Sequence, residues 1–333
     1  MRGTALTDLL TNLLSPAVLC FLLGAAAYFA KSDLRLPDAI FNVVSVYLML
    51  SIGLKGGASL AAATFSAFAL PALGAMALGC LITLWSYAFL RRLGGFGTAD
   101  AAAVAAHYGS VSAVTFAAVV DWLTRSGVAY EGYVAALLAL LEAPAILIAL
   151  SLAGAARATA SDASGNGHTR IGAVVAEVAS GKSIVVLVGG LLIGAVVGTA
   201  TLAPVKPFFV DLFPGVLCLF LLDLGRAAAE RLRDFHRAGP VLVGFAIGAP
   251  LLHGALGVGV AWLTGMSVGG AIVLGTLAAS ASYIAAPAAV RLALPEANPG
   301  LYLTASLAIT FPFNIVLGIG IYAAMARALY GVG

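Results

Sequence analysis

Apolar residues run in long blocks along this chain, and polar residues gather between the blocks. Neither the two-residue alternation of a half-buried strand nor the narrow stripe of a soluble helix dominates. A helix needs about 20 apolar residues to cross a bilayer, and ten blocks approach or exceed that length. They are 9–30, 38–54, 65–90, 98–123, 132–153, 183–202, 207–224, 239–264, 267–292 and 301–326. No cleavage-type segment follows the first block, so a retained first helix is expected rather than a removed leader.

Composition sharpens this picture. Hydrophobic residues make up 62% of the 333 and charged residues 9%, against about 25% charged in a soluble chain. So few charges cannot cover a water-facing surface, and the expected fold class is an all-α integral membrane protein in a lipid bilayer. The net charge of +3 is small and scattered, which argues against a nucleic-acid partner. No P-loop, HExxH or CxxC pattern is present. Cys20, Cys80 and Cys218 lie far apart in apolar runs and read as small buried hydrophobes.

Loop charges give an orientation. With ten spans both termini share one side, which receives Arg2, Lys55, Arg125, Lys206 and Arg327. The other twelve basic residues fall on the opposite side. Basic loops stay in the cytoplasm, so both termini are expected outside, in a bacterial plasma (inner) membrane. Residues 154–170 are polar and read as a cytoplasmic linker. Residues 171–181 alternate Val and Ile with polar positions, as a short interfacial helix would. The stretch 226–237, with four arginines and a histidine, reads as a solvated cytoplasmic helix near anionic headgroups.

The linker separates two halves, 1–154 and 182–333, with 155–181 between them. Shared landmarks recur in order. Ser110-Val111-Ser112 matches Ser280-Ala281-Ser282 at an offset of 170, Tyr133 matches Tyr302 at 169, and Pro144 matches Pro312 at 168. Five spans is an odd number, so consecutive five-span units enter the membrane from opposite sides. That is the 5+5 inverted repeat of secondary transporters.

Spans four and nine carry matching interruptions. In span four, Gly109 weakens the helix, and Ser110, Ser112 and Thr115 offer hydroxyls to the backbone. In span nine, Ser280-Ala281-Ser282-Tyr283 is followed by Pro287, which removes a donor. Broken helices at membrane depth survive only around a protein-lined cavity. Their helix N-termini suit a small anion, and their carbonyls and hydroxyls suit Na⁺. Spans four and nine are expected to cross near the midplane with the site between them. The competing reading is close helix packing through small residues.

Ionisable groups inside spans are functional candidates. Glu142, two residues before Pro144, reads as a sodium ligand, a proton carrier or a neutral structural acid. His107 reads either as a substrate or proton contact or as a packed neutral histidine. His253 reads as structural, and Asp223 as an interfacial partner of Arg226. His107 lies three residues before Ser110, but no second serine-hydrolase feature accompanies them, so no enzyme activity is expected.

At these residues the chain resembles the sodium-dependent bicarbonate transporter family typified by the cyanobacterial protein. The resemblance covers nearly the whole chain. Its carriers are Leu14-Ser15-Pro16-Ala17, Ile52-Gly53-Leu54-Lys55-Gly56-Gly57, and the stretch from Ala278 to Pro287 running on to Pro295-Glu296-Ala297-Asn298-Pro299. It implies a gate and scaffold built from the first two spans of each half and a substrate-carrying core built from the last three. It also implies a homotrimer, an elevator-like motion and, in cyanobacterial members, a PII-like cytoplasmic regulator. By motif position Ser112 and Thr115 match family hydroxyls, Ser280 and Ser282 match a serine cluster, and Glu142 matches a family acid. The chain departs from the family at Tyr283, where the family has Asp. Ala285 and Ala286 stand for Ser and Gly, Ser110 for a small apolar residue, Val114 for a serine, and His107 for an aromatic.

The expected function is import of a small anion, bicarbonate first, by symport with Na⁺. Expected substrate contacts are Gly109, Ser110, Ser112, Ser280, Ala281, Ser282 and Tyr283. The expected Na⁺ neighbourhood is Ser112, Thr115, Ser282 and Glu142. The alternatives are another small carboxylate or inorganic anion, possibly proton-coupled through His107 or Glu142, an anion channel, or a non-transporting scaffold.

Overall fold

A computed structural model describes residues 12–142, 144–158, 176 and 179–332. Of the linker and interfacial helix expected over 154–181, residues 159–175, 177 and 178 lie outside the described residues, while 154–158 continue the helix that starts at Pro144. Among the described residues there is no strand. The helices are α1 (Pro16–Phe29), α2 (Asp38–Ala61), α3 (Phe65–Arg92), α4 (Thr98–Gly109), α5 (Ala113–Arg125), α6 (Val134–Glu142) and α7 (Pro144–Ala158). After the linker come α8 (Lys182–Leu202), α9 (Phe213–Arg231), α10 (Phe235–Leu263), α11 (Val268–Ala279) and α12 (Ala286–Ala293). The last helix, α13, runs Pro299–Tyr330. It contains two wider π-type stretches, Thr304–Thr310 and Asn314–Gly318.

Six of the described segments are long and apolar enough to cross a membrane. They are α2, α3, the α4–α5 stretch, α8 with its extension to Val205, the straight part of α10, and α13. Burial divides them. The most apolar window of Thr98–Arg125 is 94% buried, while that of Lys182–Val205 is 22% buried. The α4–α5 stretch is therefore central, and α8 turns residues such as Leu192 and Val196 outward, as a lipid-facing helix does. α2 runs seven residues past the expected end of span two at Leu54, so Lys55 sits within the helix.

Glycines let two helix pairs touch backbone to backbone. A Cβ on Gly24 of α1 would overlap the Leu222 carbonyl of α9, and one on Gly225 would overlap the Phe21 carbonyl. In the same way Gly194 of α8 meets the Leu54 carbonyl of α2, and Gly57 meets the Leu191 carbonyl. Such contacts are the small-residue packing of membrane helices. The two pairs correspond. Gly194 stands 170 positions after Gly24 and Leu191 the same distance after Phe21, while Leu222 and Gly225 stand 168 after Leu54 and Gly57.

The starts of the central helices are tied to distant loops through two acids. The Ser267 N–H and hydroxyl both donate to the Glu131 carboxylate, and Ser267 caps α11 by accepting the Gly270 N–H. Asp100, in the first turn of α4, accepts the Asn298 N–H at 2.7 Å. Each clamp ties the start of one interrupted stretch to the loop that follows the other. Asp223 pairs with Arg226 as expected and also accepts the Leu36 N–H. The stretch after Arg226 continues α9 to Arg231, with Arg226 also bonded to Glu230.

Candidate functional site

α4 is built almost wholly from small residues, and 101–109 is buried throughout. Its last residue, Gly109, lies so close to Thr83 Oγ1 of α3 that a Cβ would overlap that oxygen. Helical winding stops there. Ser110 (φ −86°, ψ 167°) and Ser112 (φ −104°, ψ 113°) are extended, and α5 starts at Ala113. Ser112 caps that start, its Oγ accepting the Thr115 N–H at 3.2 Å. Ser110 Oγ donates to the Glu142 carbonyl at 2.8 Å, which ties this interruption to α6.

The second interruption has the same form. α11 ends at Ala279, Ser280 is extended (φ −79°, ψ 165°), and α12 starts at Ala286. Pro287 does not break the helix, contrary to expectation. It sits in the first turn of α12, where N–H groups lack intrahelical acceptors and proline costs nothing. The break comes seven residues earlier, at Ser280.

Two hydrogen bonds join the interruptions. The Ser112 N–H donates to Ser280 Oγ at 2.9 Å. The Ser282 N–H donates to the His107 carbonyl at 2.8 Å. Ser280 Oγ in turn donates to the Leu277 carbonyl at 2.7 Å, and Ser282 Oγ accepts the Ala286 N–H at 3.3 Å. Ser110, Ser112, Thr115, Glu142, Ser280, Ala281, Ser282 and Tyr283 are all buried. Ala281 belongs to the apolar cluster that also holds Tyr108 and Tyr302.

Several polar atoms here are left open. The Tyr283 hydroxyl lies near Ser112 without a completed hydrogen bond, and its ring meets Phe311 edge-on at 5.0 Å. Among the described residues Glu142 Oε2 has no partner; the bond from Ser110 goes to the Glu142 backbone, not to its carboxylate. His107 Nδ1 lies 2.6 Å from the Ala103 carbonyl, which can only accept, so the ring proton sits on Nδ1. Nε2 is then a buried bare acceptor, and the ring stacks on Tyr302 at 4.6 Å. His253 accepts from Trp85 Nε1 at 2.8 Å and is structural, as expected.

Four residues that the sequence did not single out complete the surroundings. Asn314 Nδ2 donates to the Ala279 carbonyl, the last of α11, and its Oδ1 accepts the Tyr322 hydroxyl. Tyr108 donates to Thr310, which donates to the Ala246 carbonyl. Asn314 stands alone as a polar residue in the apolar run 311–320, and that isolation was a readable signal.

Space at the first interruption is small. A cavity of about 10 Å³ lies along Tyr108, Gly109, Ser110 and Val111, close to the room one water needs. The described residues contain no cluster of three His, Cys, Asp or Glu side chains, so the chemistry available is that of hydroxyls, carbonyls, helix ends and one carboxylate. Those are the oxygen ligands of a hard cation and the N–H donors of an anion site.

Comparison with curated proteins returned no match. Residues 16–327 match the model of the Na⁺-dependent bicarbonate transporter superfamily, and the chain belongs to that superfamily.

Proposed function

We propose that the chain is a secondary active transporter that imports bicarbonate with Na⁺ by an elevator-like alternation of access. The observation that carries this reading is the pair of bonds between the two helix interruptions, Ser112 N–H to Ser280 Oγ and Ser282 N–H to the His107 carbonyl. They bring two helix N-termini and a set of hydroxyls to one buried place. An anion there meets N–H groups and positive dipole ends, and a co-bound Na⁺ supplies the remaining charge. Ser112, Thr115, Ser282 and Glu142 form the cation side. Gly109, Ser110, Ser280, Ala281 and Tyr283 complete the anion side.

In this reading the chain has ten spans in two inverted five-span units, 1–154 and 182–333, joined by a cytoplasmic linker at 155–181. The interrupted helices are spans four and nine, and they cross near the midplane. The correspondence of the glycine contacts, and of the two acid clamps, supports the repeat. α1, α2, α8 and α9 form the gate and scaffold, and the other helices form the moving core. Both termini lie outside a bacterial inner membrane. The resemblance adds a homotrimer and, more distantly, a PII-like partner at the cytoplasmic face. Each charge crossing 100 mV is worth about 2.3 kcal/mol, so one or two Na⁺ ions suffice for useful accumulation.

Labelled bicarbonate uptake into proteoliposomes tests the proposal. Uptake should saturate, show counterflow and require an inward Na⁺ gradient. Uptake indifferent to Na⁺ removes the symport, and non-saturating currents point to a channel. A proton-coupled reading, with another small carboxylate or inorganic anion as cargo, is favoured by one feature: the open His107 Nε2 and Glu142 Oε2. A pH gradient replacing the Na⁺ gradient separates the two.

A further inference from the structure

A cavity of about 110 Å³ lies away from the interruptions, between α2 and the 209–214 segment on one side and α5 and the start of α6 on the other. In the proposed function these are the scaffold and the core, so the cavity lies at the boundary that motion must cross. Its wall includes Phe116 of α5, the residue after Thr115. It is thus next to the candidate site.

Lys55 gives the cavity its charge. Six residues before the end of α2, it is about 9 Å below the helix terminus at the rise of an α-helix. Among the described residues no carboxylate lies within ion-pair distance of its ammonium. Nζ donates to the Tyr130 hydroxyl at 3.2 Å and stands 5.8 Å from that ring's centre. Because Tyr130 Oη accepts this bond, its own proton remains available, as do two protons of the ammonium. The other hydroxyls of the wall, Ser51, Ser59 and the exposed Thr124, are already committed, donating to the Tyr47, Lys55 and Val120 carbonyls. Asp121, also in the wall, is neutralised by Arg125 at 2.8 Å. Among the wall residues the sum is one positive charge, on Lys55, beside adjacent O–H and N–H donors; the Glu131 carboxylate, between wall residues Tyr130 and Gly132, is engaged by Ser267.

We propose that this cavity is an outer holding site for the transported anion, a small planar oxyanion of the bicarbonate or carboxylate type. It rests on the transport reading above. Lys55 supplies charge and Tyr130 a directed hydrogen bond, and the anion then passes Phe116 to reach Ser112. An electropositive cleft raises the local concentration of its ligand, an effect that salt screens. The site therefore acts on capture rather than on the translocating step.

The test measures bicarbonate uptake kinetics for wild type, Lys55→Gln and Lys55→Arg at low and high ionic strength. Lys55→Gln should raise KM by roughly tenfold at low salt with maximal rate nearly unchanged. Lys55→Arg should stay near wild type, and the difference should shrink in high salt. An unchanged KM for Lys55→Gln overturns the proposal. A second measurement needs no transport. Thr124→Cys, at the mouth, is alkylated by a membrane-impermeant maleimide with and without bicarbonate. Protection in the Lys55 background, lost on adding Lys55→Gln, supports the site even if wild type shows no Na⁺-driven uptake, which would sink only the transport reading. Absence of protection in the Lys55 background overturns the site.

Discussion

Removing the Ser280 hydroxyl tests the junction between the interruptions most directly. Ser280 Oγ makes two bonds, accepting the Ser112 N–H at 2.9 Å and donating to the Leu277 carbonyl at 2.7 Å. The Leu277 carbonyl also accepts the Ser280 N–H at 3.0 Å, so Ser280→Ala leaves it partnered. The Ser112 N–H, by contrast, loses its acceptor in a fully buried place. An orphaned buried donor costs about 1–3 kcal/mol, while hydrogen bonds between membrane helices average about 0.6 and reach about 1.7 kcal/mol. With one donor orphaned and little room for water, Ser280→Ala should lower the unfolding free energy by about 1.5 kcal/mol. Ser282→Ala provides the contrast. Its structural bond to the His107 carbonyl is made by the backbone and survives. Among the described residues the hydroxyl makes a long 3.3 Å contact to the Ala286 N–H, worth about 0.5 kcal/mol at the low end of capping effects. The order of stabilities in detergent should be wild type, Ser282→Ala, Ser280→Ala, read from chemical unfolding. Uptake should fall in both. The geometry is refuted if Ser282→Ala is the more destabilised variant. The site itself is refuted if a folded Ser112→Ala/Ser280→Ala double variant retains full uptake.

The helix contacts give a second expectation. Gly24→Ala and Gly194→Ala should each destabilise by about 1–3 kcal/mol, the usual cost of overpacking, and by similar amounts because their surroundings correspond. Gly189→Ala, with nothing within 4 Å of its added carbon, should be neutral or slightly stabilising in the same unfolding assay. Asn314→Leu strips partners from the Ala279 carbonyl and the Tyr322 hydroxyl and should cost about 2–4 kcal/mol. Tyr322→Phe should cost less than half of that, and a double-mutant cycle should show the two coupled. Glu142→Gln should leave stability near wild type, because Ser110 bonds the backbone of this residue. It should raise the Na⁺ concentration for half-maximal uptake by roughly tenfold, the effect of one charged ligand worth about 1.4 kcal/mol. An unchanged Na⁺ dependence removes Glu142 from the cation side.

Much of the helical layout was legible because lipid leaves a strong mark on sequence. Blocks such as 65–90 and 239–264 need no partner to be recognised, and the helices found there lie within a few residues of them, while α2 and α9 each run seven residues past the expected end. The interruption at Ser110 was legible for a local reason, a glycine followed by hydroxyls inside an otherwise apolar run. The second was read through the wrong residue. Pro287 drew attention because proline breaks helices in general, but the chain had already left the helix at Ser280, and the proline fits a new first turn. Lys55 was assigned to a loop because a charge ends an apolar window. The structure keeps it in α2, where a cavity and Tyr130, 75 positions away, receive it. Asn314 was passed over because its two partners, Ala279 and Tyr322, are set by folding and not by spacing. What was missed depended on contacts between distant parts of the chain.

The exchange of partners between the halves bears on how the protein is made. α1 is matched to α9, and α2 to α8, through glycine faces that accept one particular backbone. While the ribosome is still adding residues before Lys182, those faces have nothing to receive them. The early helices must wait in the translocon or in lipid with their notches empty. Neither half is then a self-sufficient product, and a truncated chain ending in the linker should be cleared by membrane proteases rather than accumulate.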